Sequence, residues 1–276
     1  MARTVWLASY PKSGNTWLRA VHEALVTGAE PDINNLGHDY PAAARWAFDV
    51  NLGLRSSDMT GEELALLRPH ADEALAAGAG TDVWRKAHDA LIPGPAGEPV
   101  VGVAGACSAI YVVRDPRDVA VSLAHHAGRS AAWAVEAMCD PAWTMSVSSG
   151  SLGSQLPQRL GTWSEHVLSW TRQQRVPVHV LRFEDCVSHP VESFHGAFTA
   201  VGLEVSEGEV ALAVERGSWQ RLRRQEEESG FRERLAEGSY FFRRGEVGAW
   251  KEELPAPLAG RVVEHHGRVM VELGYL

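Results

Sequence analysis

The stretch YPKSGNTW near the start of the chain gathers a lysine, two hydroxyl side chains and several backbone amides after a short apolar run. A helix N-terminus presents unpaired N–H groups and partial positive charge, so a loop that leads into one suits an anion. Lys12 adds a full charge, and Ser13, Asn15 and Thr16 add donors of short reach. The stretch predicts a P-loop-like turn that binds a phosphate group. An ordinary turn between strand and helix is the alternative that these residues leave open.

A second pair suited to chemistry is Lys86 and His88 in RKAHD, at the end of a predicted short strand that contains Val83 and Trp84. Residues two apart on a strand point to the same side. A neutral histidine is the side chain best suited to take a proton from a hydroxyl near pH 7. Other histidines are interpreted as structural, because they fall at a predicted helix end, on a C-terminal helix or in a strand: His125, His126, His265, His266 and His179.

The bulk properties favour a globular cytosolic protein. The 276 residues are 45% hydrophobic and carry a net charge of −9, so nucleic acid and anionic membranes are not expected as partners. No apolar run is long enough to cross a membrane, and the N-terminus does not read as a signal peptide. The cysteines are scattered and odd in number: Cys107, Cys139 and Cys186. They predict buried thiols in a reducing compartment, and no metal site.

Apolar patterning predicts repeated strand, loop and helix units. The predicted strands are 4–9, 110–113 and 178–185, and the predicted helices are 16–27, 61–77, one from about Pro116 and one with Phe194, Phe198 and Val201 on its packed face. Alternating strands and helices imply an α/β fold, a mostly parallel central sheet flanked by helices in a single domain over 1–276. Ligands bind beyond the carboxyl ends of such strands, where the chemically suited loops fall.

Four stretches in the same order resemble the sulfotransferases that use 3'-phosphoadenosine 5'-phosphosulfate (PAPS), specifically the cytosolic-type, small-molecule enzymes of bacteria. YPKSGNTW resembles the phosphosulfate-binding loop Y-P-K-S-G-T-T-W, with Asn15 for a threonine. RKAHD resembles the K-T-H segment, with Ala87 for the threonine, and VVRDPRDVAVS resembles the 3'-phosphate segment. FRRGEVGAWK resembles R-K-G-x-x-G-D-W-K, with Arg244 for lysine and Ala249 for aspartate. Together these stretches span residues 5–251.

The resemblance implies a role for each matching residue. His88 would be the catalytic base and Lys86 would assist at the sulfuryl group, while Lys12 would stabilise the leaving oxygen. Arg114 and Ser122 would hold the 3'-phosphate. The predicted cofactor-binding residues are Lys12, Ser13, Gly14, Asn15, Thr16, Trp17, Arg114, Ser122, Trp219, Arg243, Arg244 and Gly245. No metal is implied.

Two of these assignments leave an alternative interpretation open. Arg243 and Arg244 would close over the 3'-phosphate, although a solvated basic segment is the alternative reading of 221–245. Trp17 and Trp219 would stack on the two faces of the adenine, or pack in the core instead. Phe183 stands where many relatives carry tyrosine, so any hydroxyl contact with the base is absent.

The sequence therefore predicts a metal-independent, PAPS-dependent sulfotransferase that acts on a hydroxyl of a small molecule. Aromatic and thioether residues in 124–160, with 31–60 as an opposite wall, favour a ring-bearing alcohol or phenol, and amines stay open. The alternatives are a P-loop kinase that uses ATP and Mg²⁺ and a catalytically silent nucleotide-binding protein. A homodimer is left open, because KEELPAPLAG departs from the family's K-x-x-x-T-V-x-x-x-E segment at Pro255, Ala256 and Gly260.

Overall fold

The computed structural model describes residues 2–37, 39–103, 107–147, 152–235 and 240–276. The chain forms two compact units, each described by itself below. The first unit consists of Met1–Tyr10, His38–Tyr111 and Pro141–His179, and the second of Pro11–Gly37, Val112–Asp140 and Val180–Leu276. A single domain over 1–276 stays a prediction. Residues 148–151 of the predicted acceptor segment and 236–239 of the late basic segment lie outside the described residues.

The strands are β1 (Thr4–Ser9), β2 (Asp39–Pro41), β3 (Val83–Ala87), β4 (Cys107–Val113), β5 (Thr144–Met145), β6 (Gln158–Arg159) and β7 (Val178–Arg182). Five of them form a sheet in the order β2-β3-β1-β4-β7, and β5 pairs with β6. β1 and β2 both pair in parallel with β3. Every residue of β1 is buried, as expected for a central strand covered on both faces. The predicted parallel sheet flanked by helices is confirmed.

The helices are α1 (Asn15–Thr27), α2 (Arg45–Leu52), α3 (Gly61–Gly78), α4 (Pro116–Ala127), α5 (Ala131–Cys139), α6 (Trp163–Thr171), α7 (Phe183–Ser188), α8 (Pro190–Ala200), α9 (Glu207–Arg216), α10 (Trp219–Ser229), α11 (Trp250–Glu253) and α12 (Ala256–Glu272), with a 3₁₀ turn at Ser56–Asp58. None of the helices in the described parts of the chain has the length and apolar character that crossing a membrane requires.

In the first unit, α6 begins with a capping box. Thr162 accepts a hydrogen bond from the amide of Glu165, whose carboxylate in turn accepts from the Thr162 amide at 3.0 Å. The helix then buries Trp163, His166, Val167 and Trp170. This cap fixes where α6 starts and therefore which face it turns inward.

In the second unit, α1 and α4 each follow a predicted loop. Pro116 stands in the first turn of α4, and Asp115 caps it by accepting from the Arg117 amide at 2.9 Å. A small hydrophobic cluster forms part of the core of this unit, with Ala20, Ile33, Leu36, Leu222, Phe231 and Phe242 buried in it. Trp17 and Trp219 pack against this cluster.

Two boundary predictions need correction. The predicted strand 178–185 ends at Arg182, because the following residues begin α7. Glu184 and Asp185 stand in the first turn of that helix, where carboxylates complement the helix dipole. The other correction is that Lys86 lies inside β3 rather than after a strand at Val83 and Trp84.

Candidate active site

The loop before α1, in the second unit, has an unusual backbone. Lys12 has φ +68° and Gly14 has φ +111°, both in the left-handed half of conformational space. For a residue with a Cβ this conformation costs about 1 kcal/mol. The amides of Trp17 and Leu18 donate to the Gly14 carbonyl at 3.0 and 3.2 Å, so the glycine caps α1 through its backbone.

Gly14 is required by packing as well as by conformation. A Cβ at this position would lie 2.7 Å from Cδ2 of Phe183, closer than real Cβ contacts come. The backbone of the loop therefore rests directly on the Phe183 ring. The ring that replaces the family's tyrosine thus supports the loop.

The start of α1 fits an anion. No side chain caps α1, and its first turn holds no acidic residue. Ser13 is completely buried, and within the described residues its hydroxyl oxygen has no hydrogen-bond partner. A buried hydroxyl without a partner is costly unless a bound group satisfies it. These features suit an anionic group such as a phosphate.

Two adjoining cavities open in the second unit. The first is lined by Lys12, Ser122, His125, His126, Arg234, Tyr240, Phe241 and Arg243. The second is lined by Arg114, Asp118, Val121, Ser122, Trp219, Phe241, Arg243, Arg244, Gly245, Glu246 and Ala249. Ser122, Phe241 and Arg243 line both. The fold thus gathers predicted residues from four separate stretches of sequence.

Phe241 lies against the predicted leaving-group lysine. The Lys12 Nζ is 3.4 Å from the centroid of the Phe241 ring, a cation–π contact. His126 meets the same ring edge-on, with centroids 5.5 Å apart. Sequence reasoning missed Phe241 and interpreted His125 and His126 as structural, whereas both histidines line the first cavity. Their spacing of three and four residues after Ser122 on one helix face was the available signal.

Arg114 follows β4 directly and is held on several sides. Its Nη2 donates to the Glu246 carbonyl at 2.9 Å, and the guanidinium carbon lies 4.3 Å from the centroid of the Phe183 ring. Its side chain is 11% exposed and lies 3.8 Å from the Asp118 carboxylate. Burial lowers the pKa of Arg114, and the carboxylates of Asp118 and Glu184 oppose that shift. A fixed, desolvated guanidinium suits a bidentate phosphate contact.

Arg243 and Arg244 pair with carboxylates of the late loop and α11. Both guanidinium groups reach Glu253, at 2.8 Å from Arg243 and 3.0 Å from Arg244, and His125 Nε2 lies 2.8 Å from the same carboxylate. Burial alone would raise the pKa of Glu253, but hydrogen bonds from His125, Arg243 and Arg244 outweigh it and hold the pKa below its ordinary value. Arg244 also pairs with Glu252 at 3.1 Å.

The two tryptophans predicted to bind adenine differ in setting. Trp219 lines the second cavity, and its ring packs on Gly245, where a Cβ would lie 2.6 Å away. Trp17 donates from Nε1 to the Gly217 carbonyl at 3.1 Å and meets Phe194 edge-on. As far as the described residues go, Ser13–Trp17 do not line either cavity. The adenine sandwich stays a prediction.

Asp118 is a further residue that sequence reasoning missed. Its carboxylate accepts from the backbone amides of Gly248 at 2.7 Å and Trp250 at 2.9 Å. Asp118 is buried at 1% exposure, so these bonds tie the late glycine-containing loop firmly to α4. An acidic residue one turn before Ser122 was the only signal in the sequence.

Lys86 and His88 belong to the first unit. Lys86 lies in β3, opposite Leu7 of β1 and Pro41 of β2, and His88 follows the last residue of the strand. Because Ala8 pairs with Ala87, the register brings Ser9 beside His88. Both side chains are half-buried, as the spacing of two along a strand predicts for one face.

The hydrogen bonds of His88 fix its tautomer. Its Nδ1 lies 2.9 Å from the Ser9 carbonyl oxygen and 3.3 Å from the Ser9 hydroxyl. A carbonyl oxygen only accepts, so Nδ1 carries the proton in this bond and Nε2 carries the lone pair of the neutral ring. Ser9 is completely buried, which makes this contact a rigid one.

Among the described residues, no group of three or more histidine, cysteine, aspartate or glutamate side chains is placed to hold a metal ion. The absence of a metal therefore stays a prediction. The cysteines that the structure describes are free thiols.

Comparisons with known proteins address the family. A model of the sulfotransferase domain matches residues 100–274. A search of the curated proteins gives no match. Among solved structures, retinol dehydratase in complex with androsterone and the inactive cofactor PAP has a TM-score of 0.64 at 19% identity, over 97% of this chain and 80% of that one. Mouse sulfotransferase SULT7A1 complexed with PAP has a TM-score of 0.58 at 18% identity, over 98% and 88%.

These structures are similar to the chain in fold, and a second retinol dehydratase complex, with retinol and PAP, gives the same TM-score of 0.64 at 17% identity over 97% of this chain and 81% of that one. The sulfotransferase domain model, in turn, covers more than half of the chain. The chain therefore belongs to the sulfotransferase domain family, and the prediction of a PAPS-dependent sulfotransferase is confirmed at that level.

Proposed function

We propose that the protein transfers a sulfuryl group from PAPS to a hydroxyl of a small, ring-bearing alcohol or phenol, with His88 as the general base. The observation that carries this proposal is the pair of adjoining cavities in the second unit, where Lys12, Arg114 and Arg243 converge. A compound with two separated anionic groups matches two adjoining cationic cavities better than a compound with one.

The nucleotide-binding residues divide by the group they would hold. The first turn of α1, with Lys12 and the buried Ser13 hydroxyl, suits the 5'-phosphosulfate end. Arg114 and Ser122, with Arg243 and Arg244, suit the 3'-phosphate. Trp219, packed on Gly245, offers a ring face for the adenine. Lys86 is proposed to assist at the sulfuryl group.

The chain's own residues carry the proton and charge movements. Bound PAPS supplies the sulfuryl group and leaves as 3'-phosphoadenosine 5'-phosphate (PAP). The Lys12 ammonium stabilises the negative charge that develops on the departing oxygen. His88 accepts the proton of the acceptor hydroxyl at Nε2, because the bond to Ser9 holds the other proton at Nδ1. Sulfuryl transfer of this kind needs no metal-bound water.

The acceptor proposal rests on the composition of 124–160 and on aromatic contacts in the first unit. Trp143 lies 5.7 Å from the Tyr10 ring, centroid to centroid, and is half-buried. The part of the Trp143 ring that stays accessible favours a flat apolar acceptor. The free thiols favour the cytoplasm as the place of the reaction.

Calorimetric titration of the purified chain with PAP, ADP and ATP is the first test. We expect PAP to bind at least about tenfold more tightly than ADP, since only PAP carries the 3'-phosphate that Arg114 would contact. Incubation with PAPS and a set of phenols, alcohols and amines, read by mass spectrometry for the gain of one SO₃ group, then identifies the acceptor class. Binding of ATP with Mg²⁺ in preference to PAP, or transfer to no acceptor, would overturn the proposal.

A further inference from the structure

The segment that carries His88 is irregular backbone beyond the end of a strand. β3 ends at Ala87, and residues 88–91 run on without regular structure. Buried backbone groups outside regular structure need other hydrogen-bond partners. In the first unit, the Ala90 amide donates to the Arg159 carbonyl at 2.8 Å, and side chains of α6 bind three further backbone groups of the segment.

Three side chains of α6 hold this segment. His166 Nε2 lies 3.0 Å from the His88 carbonyl oxygen, and Trp170 Nε1 donates to the Asp89 carbonyl at 3.0 Å. The Ser169 hydroxyl accepts from the Leu91 amide at 2.9 Å. The helix therefore acts as a template for the backbone around the proposed base.

The direction of each bond follows from chemistry. The His88 carbonyl can only accept, so His166 Nε2 carries a proton. His166 is completely buried, and burial lowers its pKa to about 4, which keeps the ring neutral. Its Nδ1 therefore carries a lone pair and accepts from the Tyr111 hydroxyl, 2.8 Å away.

These bonds close a ring. The backbone N–H of Tyr10 donates to the Tyr111 hydroxyl. That N–H and the Ser9 carbonyl belong to the same peptide group, and the Ser9 carbonyl accepts from His88 Nδ1. The ring runs from this peptide group through Tyr111 and His166 to His88 and back. The link between the two bonds of His88 is its own covalent frame, so the ring holds the backbone and the side chain of His88 in one arrangement.

We propose that His166 is a positioning residue: its bond to the His88 carbonyl fixes the backbone at His88, which keeps Nδ1 on the Ser9 carbonyl, the bond that sets the tautomer, and aims Nε2 at the acceptor. Resting on the proposed function of His88, this assigns a role in the reaction to a buried histidine that the sequence did not single out. The other charged group near His166 is Asp89, which is paired with Arg68 at 2.6 Å.

Two substitutions separate positioning from folding. His166→Leu removes both ring nitrogens, and His166→Gln keeps an N–H donor at about the reach of Nε2. We expect His166→Leu to lower kcat about 10- to 100-fold with acceptor KM and PAP affinity nearly unchanged, and His166→Gln to recover most of that loss. Thr171→Ala is the matched control on the same helix: the Thr171 hydroxyl donates to the Val167 carbonyl within α6 itself at 2.9 Å, so kcat should stay near wild type.

A second readout needs no turnover. The ¹⁵N chemical shifts of the His88 ring report its tautomer: we expect the Nδ1–H form in the wild type and a mixture of tautomers in His166→Leu. If His166→Leu does not fold, Tyr111→Phe, which removes one hydroxyl from the ring, carries the same measurements with a smaller expected loss.

The outcomes are distinct from those that test the base itself. Wild-type kcat in the folded His166 variant, equal losses in the Leu and Gln variants, or an unchanged His88 tautomer would each overturn the positioning role. Wild-type transfer by a His88 variant would overturn the proposed base instead. In that case the ¹⁵N experiment still decides whether His166 sets the tautomer of His88.

Discussion

The surroundings of His88 in the first unit and the cavities of the second unit use opposite chemistry. His88 is held by uncharged hydrogen bonds to buried groups: the Ser9 carbonyl on one side and the His166 ring on the other. The cavities hold guanidinium groups that pair with half-exposed carboxylates, as Arg243 and Arg244 do with Glu253.

The difference agrees with the role proposed for each region. A proton acceptor needs one tautomer in one orientation, and buried neutral bonds provide that without competing charge. A site that binds and releases an anion needs charges whose partners can be exchanged, and surface ion pairs are weak enough to allow this. The buried hydrogen bonds therefore hold His88 in one arrangement, whereas the ion pairs of the second unit can exchange their partners.

The substitution His88→Asn is the strongest test of this difference between the two regions. We expect transfer to fall about 10³-fold, because a neutral amide cannot accept the proton, while PAP affinity stays near wild type. Single-turnover kinetics and calorimetry measure the two effects separately. A loss of PAP affinity comparable to the loss of rate would show that the two regions are not separable in this way.

Acid should destabilise each unit through one buried histidine. Burial lowers the pKa of His166 to about 4, and burial, followed by the neighbouring His265, lowers that of His266 to about 4. Folded chains then bind fewer protons than unfolded ones below pH 6.5, so this stability is full above pH 6.5 and is lost as pH falls toward 4. The expected loss is roughly 2 to 3 kcal/mol for each histidine at pH 4.5.

Urea unfolding at pH 7 and pH 4.5 checks that sign. His166→Gln and His266→Asn should each remove part of the dependence of the unfolding free energy on pH. His266 Nε2 also lies 3.8 Å from the Cys139 sulfur, so His266→Asn changes that contact as well. Stability that rises toward pH 4.5 would contradict the neutral state of both rings.

The loop before α1 can be tested with a matched pair of glycines at the two ends of that helix. Both have positive φ, but a Cβ on Gly14 meets Phe183 at 2.7 Å, whereas a Cβ on Gly28 meets nothing within 4 Å. We expect Gly14→Ala to cost about 2 to 4 kcal/mol of unfolding free energy and Gly28→Ala about 1 kcal/mol. Equal costs in urea unfolding would mean that contact with Phe183 does not hold the loop.

The smallest expected effect is that of Glu253→Gln. Removing this carboxylate takes away a partner of Arg243, Arg244 and His125, so PAP affinity should rise about two- to fivefold at low salt and less at physiological salt. Glu252→Gln is the control, because Glu252 is 71% exposed and should matter less. A fall in affinity would show that Glu253 positions the arginines.

The sequence predicted the parts of the molecule that local pattern controls. β1, α1 and α4 fall within a residue of their predicted starts, because apolar runs, glycine and proline mark them directly. His88 was singled out by its spacing from Lys86. The strand predicted at 178–185 was too long, since the acidic first turn of α7 competes with the apolar run.

Contacts between residues that are far apart in the sequence could not be predicted from local patterns. Phe241 lies against Lys12, and His166 bonds to His88, only because the fold brings them together. His125 and His126 were interpreted as structural because a helix end gives no sign of the cavity beside it. The patterns in a single sequence report the periodicity of strands and helices, and long-range contacts of this kind leave no periodic signal.

The bonds from Asp118 to the amides of Gly248 and Trp250 have a consequence for the order of synthesis. Until the ribosome has added residue 250, the α4 carboxylate has no amide donors from the late loop and would be buried at a high cost. The cavity region of the second unit should therefore form only after residue 250 has been added. A chain that stops before residue 250 should have a poorly packed α4, and proteases should cleave it faster than the longer chain.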